Sequence, residues 1–267
     1  MNYFQAIVLG IIQGTTEWLP ISSQAMVFLF SRFFFDLGHI EAIGVSVWLH
    51  SGTLLAAVIY FWKDILRILG NIFQKDSLSQ KVFLFLLLST LMSGIIAFPL
   101  LFFVFLVEIP KALFTIVIGL LLVIIAFLQK KSCGLGLCGK SLEFLKIQDS
   151  LIVGMVQGFA ALPGFSRSGS TVAMLLFLKY SLKDAFYLSF LMSIPIVFLA
   201  QIALPILQKE FIITIPLLVG TLVSGLVGFI SIKALMEFAQ KVSFFKATLT
   251  LGFIVVFLGV ILLFLNY

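Results

Sequence analysis

The chain has 267 residues, 62% of them hydrophobic and only 10% charged, with a mean hydropathy of +1.24. So few charges cannot cover the surface of a soluble domain of this length, which excludes a soluble globular protein. The net charge of +6 comes from lysines and arginines spread through short loops between apolar runs; that pattern orients membrane loops and lacks the single basic face of a nucleic-acid binder.

Met1 onward has no basic leader and no small-residue cleavage site, so it reads as mature protein rather than a signal peptide. Residues 2–35 are apolar but broken by QGTTEWLPISS. Runs over 44–62, 82–107 and 111–129 follow, each near the roughly 18–20 residues that cross a bilayer core of about 30 Å. Residues 149–180 are again apolar and broken, this time by PGFSRSGST, and runs over 185–207, 212–232 and 247–265 complete the chain. Pro99, Pro195 and Pro205 fall inside runs, which membrane helices tolerate. Lysines and arginines concentrate in loops 63–81, 130–146 and 233–246, and the positive-inside rule puts those loops in the cytoplasm and both termini outside. Cys133 and Cys138, in KKSCGLGLCGK, lack neighbouring metal ligands and read as free cytosolic thiols.

The expected fold is therefore all-α and integral to the membrane: about six transmembrane helices plus two re-entrant helical hairpins. A polar break within a span survives only where protein or a water-filled cavity surrounds it. The breaks also match each other. Gly10, Gln13, Gly14, Pro20 and Ser22–Ser23 correspond to Gly154, Gln157, Gly158, Pro163 and Ser166. Three spans follow each hairpin, and three is odd, so the second half enters upside down. Residues 1–267 read as one membrane domain of two inverted repeats, about 1–130 and 149–267, whose hairpin tips converge on a site.

The intramembrane polar residues gather at those tips. Gln13 and Glu17, spaced i,i+4, share one helix face. A carboxylate at mid-bilayer costs about 2.5–3.5 kcal/mol on insertion scales and an arginine a similar amount, so Glu17 and Arg167 ask for a function or for each other. Ser166, Arg167, Ser168 and Thr171 open the second half-helix, where unpaired N–H groups and the guanidinium fork suit phosphate oxygens. Gly164 and Gly169 permit close backbone approach, and the Ser22–Ser23 turn adds donors from the opposite hairpin. Glu17 with Gln13 is a thin ligand set, suited to Mg²⁺ or Ca²⁺ held largely by water and substrate phosphates.

These stretches resemble the undecaprenyl-diphosphate phosphatase family, also called bacitracin-resistance proteins, over essentially the whole chain. QGTTEWLPISS and PGFSRSGST match its two signatures; WLHSGTLLAAVIYFW looks like its H-x-G-T-L-x-A-V helix, and LSFLMSIP like the span that follows the second signature. The resemblance implies hydrolysis, at the outer face of the plasma membrane, of a C55 isoprenyl diphosphate to the monophosphate and inorganic phosphate, recycling a lipid carrier of cell-envelope synthesis. It gives Gln13 and Glu17 the metal and acid/base part, Ser23 a nucleophilic or phosphate-binding part, and Ser166, Arg167 and Thr171 the diphosphate, with Ser22 and Ser168 beside them. One departure stands out: Met26 occupies the place of a family histidine. His50, the only intramembrane histidine, reads as a packing or hydrogen-bonding residue. An isoprenoid-phosphate transporter, or a non-catalytic homologue that binds lipid phosphates, is the alternative, and the sequence leaves monomer and homodimer open.

Overall fold

In the computed structural model the described residues are 1–19, 21–73, 78–106, 110–133, 139–162, 164–208, 211–238 and 244–264. Pro20, Pro163 and the thiols of Cys133 and Cys138 lie outside them. Among these residues the chain is helical, with no strand beyond one isolated bridge between Lys140 and Tyr180. Among the described residues four helices are long and apolar enough to cross a membrane: His39–Tyr60, Leu78–Leu101, Leu182–Leu207 and Ile215–Glu237. Ala112–Phe127 and Thr248–Phe264 are apolar stretches within two further helices. The fold is that of a polytopic helical membrane protein.

Each broken stretch forms two helices joined by a turn. The first pair is α1 (Tyr3–Thr16) and α2 (Ser23–Phe33). The span from His39 divides at Leu49 into α3 (His39–Trp48) and α4 (His50–Tyr60). Then come α5 (Trp62–Gly70), α6 (Leu78–Leu106) and α7 (Lys111–Cys133). The second pair is α8 (Ile147–Gly158) and α9 (Arg167–Phe177), followed by α10 (Leu182–Leu207), α11 (Ile215–Phe238) and α12 (Phe244–Phe264). Two boundaries differ from the hydropathy reading. The first span starts at His39 rather than 44, and the loop expected from residue 63 contains α5. That helix is amphipathic: Lys63, Asp64 and Arg67 supply polar positions, while Trp62, Leu66 and Leu69 are apolar and half exposed. Its charges hide it from a hydropathy window.

Small residues set the packing. Helix α1 lies against α11 so closely that a Cβ on Gly10 would stand 2.3 Å from the Gly220 carbonyl oxygen. Helix α8 lies against α6 likewise, where a Cβ on Gly154 would be 2.5 Å from the Ser89 carbonyl oxygen. Such approach replaces the hydrophobic drive that helices lack inside lipid. Two apolar cores result. One joins Phe61, Ile68, Phe85, Tyr180, Leu188 and Leu235, beside the basic loops; the other joins Leu9, Phe28, Val45, Phe114, Leu204 and Leu217.

Candidate active site

The turns of the two helix pairs meet between these cores. Helix α1 ends at Thr16, and α2 begins after Ser22, an N-cap in the left-handed region (φ 62) whose hydroxyl accepts from Ala25 N at 3.4 Å. A serine held at positive φ is strained by roughly 1–3 kcal/mol and persists where its surroundings dictate it. Helix α9 begins after Ser166, whose hydroxyl accepts from Gly169 N at 3.1 Å. Both caps give their side chains to the helix end, so Ser22 and Ser166 shape the turns. Gly164 (φ +101) fits its turn against α7: a Cβ there would stand 2.8 Å from Ile118 Cα.

Glu17 is the hub, and it is 5% exposed. Its Oε1 accepts from Arg167 Nη2 at 2.6 Å across the two tips. Its Oε2 accepts from Gln13 Nε2 at 2.9 Å and from Ser23 Oγ at 2.6 Å. Arg167 gives Nη1 to the Ser189 carbonyl at 2.9 Å, and its guanidinium lies 5.9 Å from the Trp18 ring. Ser168 Oγ donates to the Leu19 carbonyl at 2.8 Å, a second tie between tips. Breaking a buried pair such as Glu17–Arg167 by removing one partner costs about 3–5 kcal/mol, because the survivor keeps its desolvation penalty.

Two expected substrate contacts sit behind the cavity wall. Thr171 is fully buried; its Oγ1 donates to the Arg167 carbonyl at 2.8 Å and shares a 2.7 Å bond with Ser189 Oγ, so it braces the strut that holds the guanidinium. Gln13 is also fully buried, with Oε1 unpaired. Facing its amide the other way would set that oxygen against Glu17, so the nitrogen-to-carboxylate assignment stands.

His50 is the residue that sequence reasoning underrated. Its Nε2 lies 3.1 Å from Glu17 Oε2 and 3.4 Å from Ser23 Oγ, and its Nδ1 lies 2.7 Å from the Ser46 carbonyl. It opens α4 at the break in the span. There Gln201 Nε2 donates to the Val47 carbonyl (2.8 Å) and Ser224 Oγ to the Leu49 carbonyl (2.9 Å). Side chains inserted into the helix ladder bend it and fix the ring. The available signal was an ionisable residue in an apolar run.

A cavity of about 370 Å³ opens from this cluster. Glu17, Ser23, His50 and Arg167 line its polar end, and Gly94, Ala97, Ile196 and Ala200, from α6 and α10, line its apolar arm. Two helix N-termini, an arginine and serine hydroxyls beside apolar lining are a combination suited to an amphiphilic anion, set in a helical membrane protein. Comparison gives the family: residues 6–262 match Bacitracin resistance protein BacA, and the chain belongs to that family. Among its relatives, the undecaprenyl-diphosphatase of Methanococcoides burtonii is 40% identical, covering 94% of this chain and 96% of the relative. That of Pyrobaculum aerophilum is 33% identical over 90% and 91%, and that of Methanothrix thermoacetophila 33% over 95% and 96%.

Proposed function

We propose that this chain hydrolyses undecaprenyl diphosphate to the monophosphate and inorganic phosphate. The observation that carries the proposal is one carboxylate, Glu17, bonded at 2.6 Å both to Arg167 and to Ser23, at the polar foot of an apolar channel. The isoprenyl chain lies along α6 and α10 and the diphosphate reaches the tips. Arg167 spends two of its five N–H donors on Glu17 and Ser189, and the rest serve phosphate oxygens together with the N-termini of α2 and α9. Ser23 attacks the terminal phosphorus. Glu17 holds Ser23, Gln13 and Arg167 in one constellation, so charge developing on the phosphoryl group meets dipoles already in place.

Mg²⁺ or Ca²⁺ is part of this proposal. No group of three His, Cys, Asp or Glu side chains that could hold a metal occurs among the described residues. Gln13 Oε1 is unpaired but turned away from Glu17 behind the cavity wall, and both Glu17 oxygens accept from protein donors, so in this arrangement the two side chains do not fit as direct ligands of a hard cation. Such an ion would instead be held by water and the substrate's own phosphates, where it would neutralise phosphate charge.

The architecture proposed is one domain of inverted repeats with re-entrant hairpins. It is supported by exchange of partners: α1 packs on α11 as α8 packs on α6, and α4 packs on α11 as α10 packs on α6. The site faces the outside of the plasma membrane, a reading supported by the apolar arm. That arm uses residues 94–101 of α6, away from the Lys81 end, where Lys81 Nζ reaches the Glu143 carbonyl.

Phosphate release from undecaprenyl diphosphate by purified protein, with Mg²⁺, with Ca²⁺ and with chelator, tests the activity. Metal-dependent turnover is expected, and binding without release would favour the transporter. An impermeant thiol reagent on intact cells should leave Cys133 and Cys138 unmodified; rapid labelling would reverse the orientation.

A further inference from the structure

We propose that His50 is the proton carrier of this site: its Nε2 takes the Ser23 hydroxyl proton as Ser23 Oγ attacks the terminal phosphorus, and then delivers it to the departing bridging oxygen. The inference rests on the hydrolase reading above. Its basis is the placement of the two ring nitrogens. The Ser46 carbonyl can only accept, so Nδ1 at 2.7 Å carries the hydrogen of that bond. In the neutral ring Nε2 is then the lone-pair nitrogen, 3.4 Å from Ser23 Oγ. In the resting site the single Ser23 hydrogen goes to Glu17 Oε2 at 2.6 Å, so the hydroxyl turns from Glu17 to Nε2 as substrate tightens the site, and a long base contact before that is ordinary.

The same nitrogen faces Glu17 Oε2 at 3.1 Å. Once Nε2 is protonated, its new N–H points at a carboxylate that stabilises the imidazolium, with no rearrangement of the ring. Glu17 itself is poorly placed to keep a proton. Its oxygens already accept from Arg167, Gln13 and Ser23, and protonation would strip Arg167 of its buried counter-charge. Glu17 thus positions and polarises, and His50 moves the proton. The charged groups around the ring are Glu17 and, through its other oxygen, Arg167; Ser23 and Ser46 are the neutral ones.

The steps balance. Ser23 O–H breaks, and a P–O bond forms at Oγ as the bond from phosphorus to the bridging oxygen breaks. The proton passes through Nε2 to that oxygen, releasing the lipid monophosphate. Water then attacks the phosphoserine, gives a proton to Nε2, and Nε2 returns it to Ser23 Oγ as inorganic phosphate leaves.

Three variants in the full-length protein test this, alongside binding of a non-hydrolysable methylene analogue of the lipid diphosphate. His50→Ala should lose about a hundredfold or more in kcat, the usual scale of general acid–base catalysis, while analogue affinity changes little. Added imidazole should restore turnover in His50→Ala, and substituted imidazoles should restore it in step with their basicity, which a packing role would not produce. His50→Asn keeps a donor near the Ser46 carbonyl but has no atom at Nε2, so it should fall as far as alanine. It is the variant to read if alanine fails to fold. His50→Gln should fall in the same way. Turnover within threefold of wild type in His50→Asn, or loss in His50→Ala with no imidazole rescue in a protein that binds the analogue normally, overturns the assignment of His50 alone. Absence of phosphate release by wild type overturns the hydrolase reading beneath it.

Discussion

At the first tip, Gln13 Nε2 stays within its own hairpin and donates to Glu17 Oε2; at the second, Gln157 Nε2 leaves its hairpin and donates to Ser93 Oγ of α6. The surroundings are otherwise alike. Gly10 and Gly14 press against α11, and Gly154 and Gly158 press against α6. Both glutamines are buried, and each keeps an unpaired Oε1. Four residues after the glutamine the two diverge, with Glu17 in one and Ala161 in the other. The carboxylate and the hydroxyl of Ser23 belong to the first tip and the guanidinium of Arg167 to the second. The two tips, each too apolar to hold a charge alone, hold opposite charges that satisfy each other. A symmetric pair of carboxylates would have repelled both itself and a diphosphate.

Removing the first tip's charge should have the largest effect. Glu17→Gln keeps the shape but leaves Arg167 buried without a counter-charge and Ser23 without its orienting oxygen. Hydrolysis should fall by about 10³-fold, the upper range for loss of one preorganised electrostatic partner, with analogue affinity largely kept. Steady-state turnover and analogue binding on the same preparation check this, and full activity would refute the hydrolase mechanism.

Altering the second tip's charge comes next. Arg167→Lys preserves the cation but loses the planar fork that reaches Glu17 and the Ser189 carbonyl together. A fall in kcat/KM of about a hundredfold is expected, on the scale of one lost electrostatic contact, and Arg167→Ala should abolish turnover. Near-normal turnover in Arg167→Lys would mean that the arginine serves only as counter-ion to Glu17.

How much of this was legible in the sequence depended on distance along the chain. Gln13 and Glu17 are one helical turn apart, and Ser166, Arg167 and Ser168 are consecutive, so local spacing in an apolar background exposed them. The paired breaks at 17–22 and 159–166 were visible for the same reason. His50 was not, because its place depends on a helix break held by Gln201 and Ser224, which lie more than 150 residues away. Thr171 belongs to the motif, and only the fold reveals that its hydroxyl faces Ser189. Helix α5 was missed because its alternation of charged and apolar residues has the period of an interfacial helix, which a span-length window averages away.

Making the tips alike should weaken substrate capture with a smaller effect on chemistry. Ala161 lines the cavity at the position matching Glu17. Ala161→Glu would add a second carboxylate to a site meant for a diphosphate, and like charge at close range disfavours binding. KM should rise about tenfold while kcat changes less, and the rise should shrink at high ionic strength because an electrostatic penalty is screened. An unchanged KM would mean that the diphosphate sits too far from the second tip to sense its charge.

The smallest effect should come from the glutamines, where the comparison is most direct. Gln157 donates to Ser93 Oγ, and Ser93 in turn donates to the Gly154 carbonyl at 2.9 Å, so its bond staples α8 to α6. Gln157→Leu is close in volume and removes one net hydrogen bond, worth about 1 kcal/mol of stability. The one Ser93 hydroxyl hydrogen can also turn to the Ser89 carbonyl at 2.6 Å, which limits the damage. Turnover of Gln157→Leu should stay within about threefold of wild type, with the loss appearing in thermal stability in detergent. Gln13→Leu removes a donor from the Glu17 carboxylate itself and should cost about tenfold in turnover, in line with one charge-assisted bond of about 1.5 kcal/mol. The ratio between the two variants is the measurement, since each loses the same chemical group from its own tip. If the two fall equally, both amides serve only packing, and the functional split between the tips rests on Glu17 and Arg167 alone.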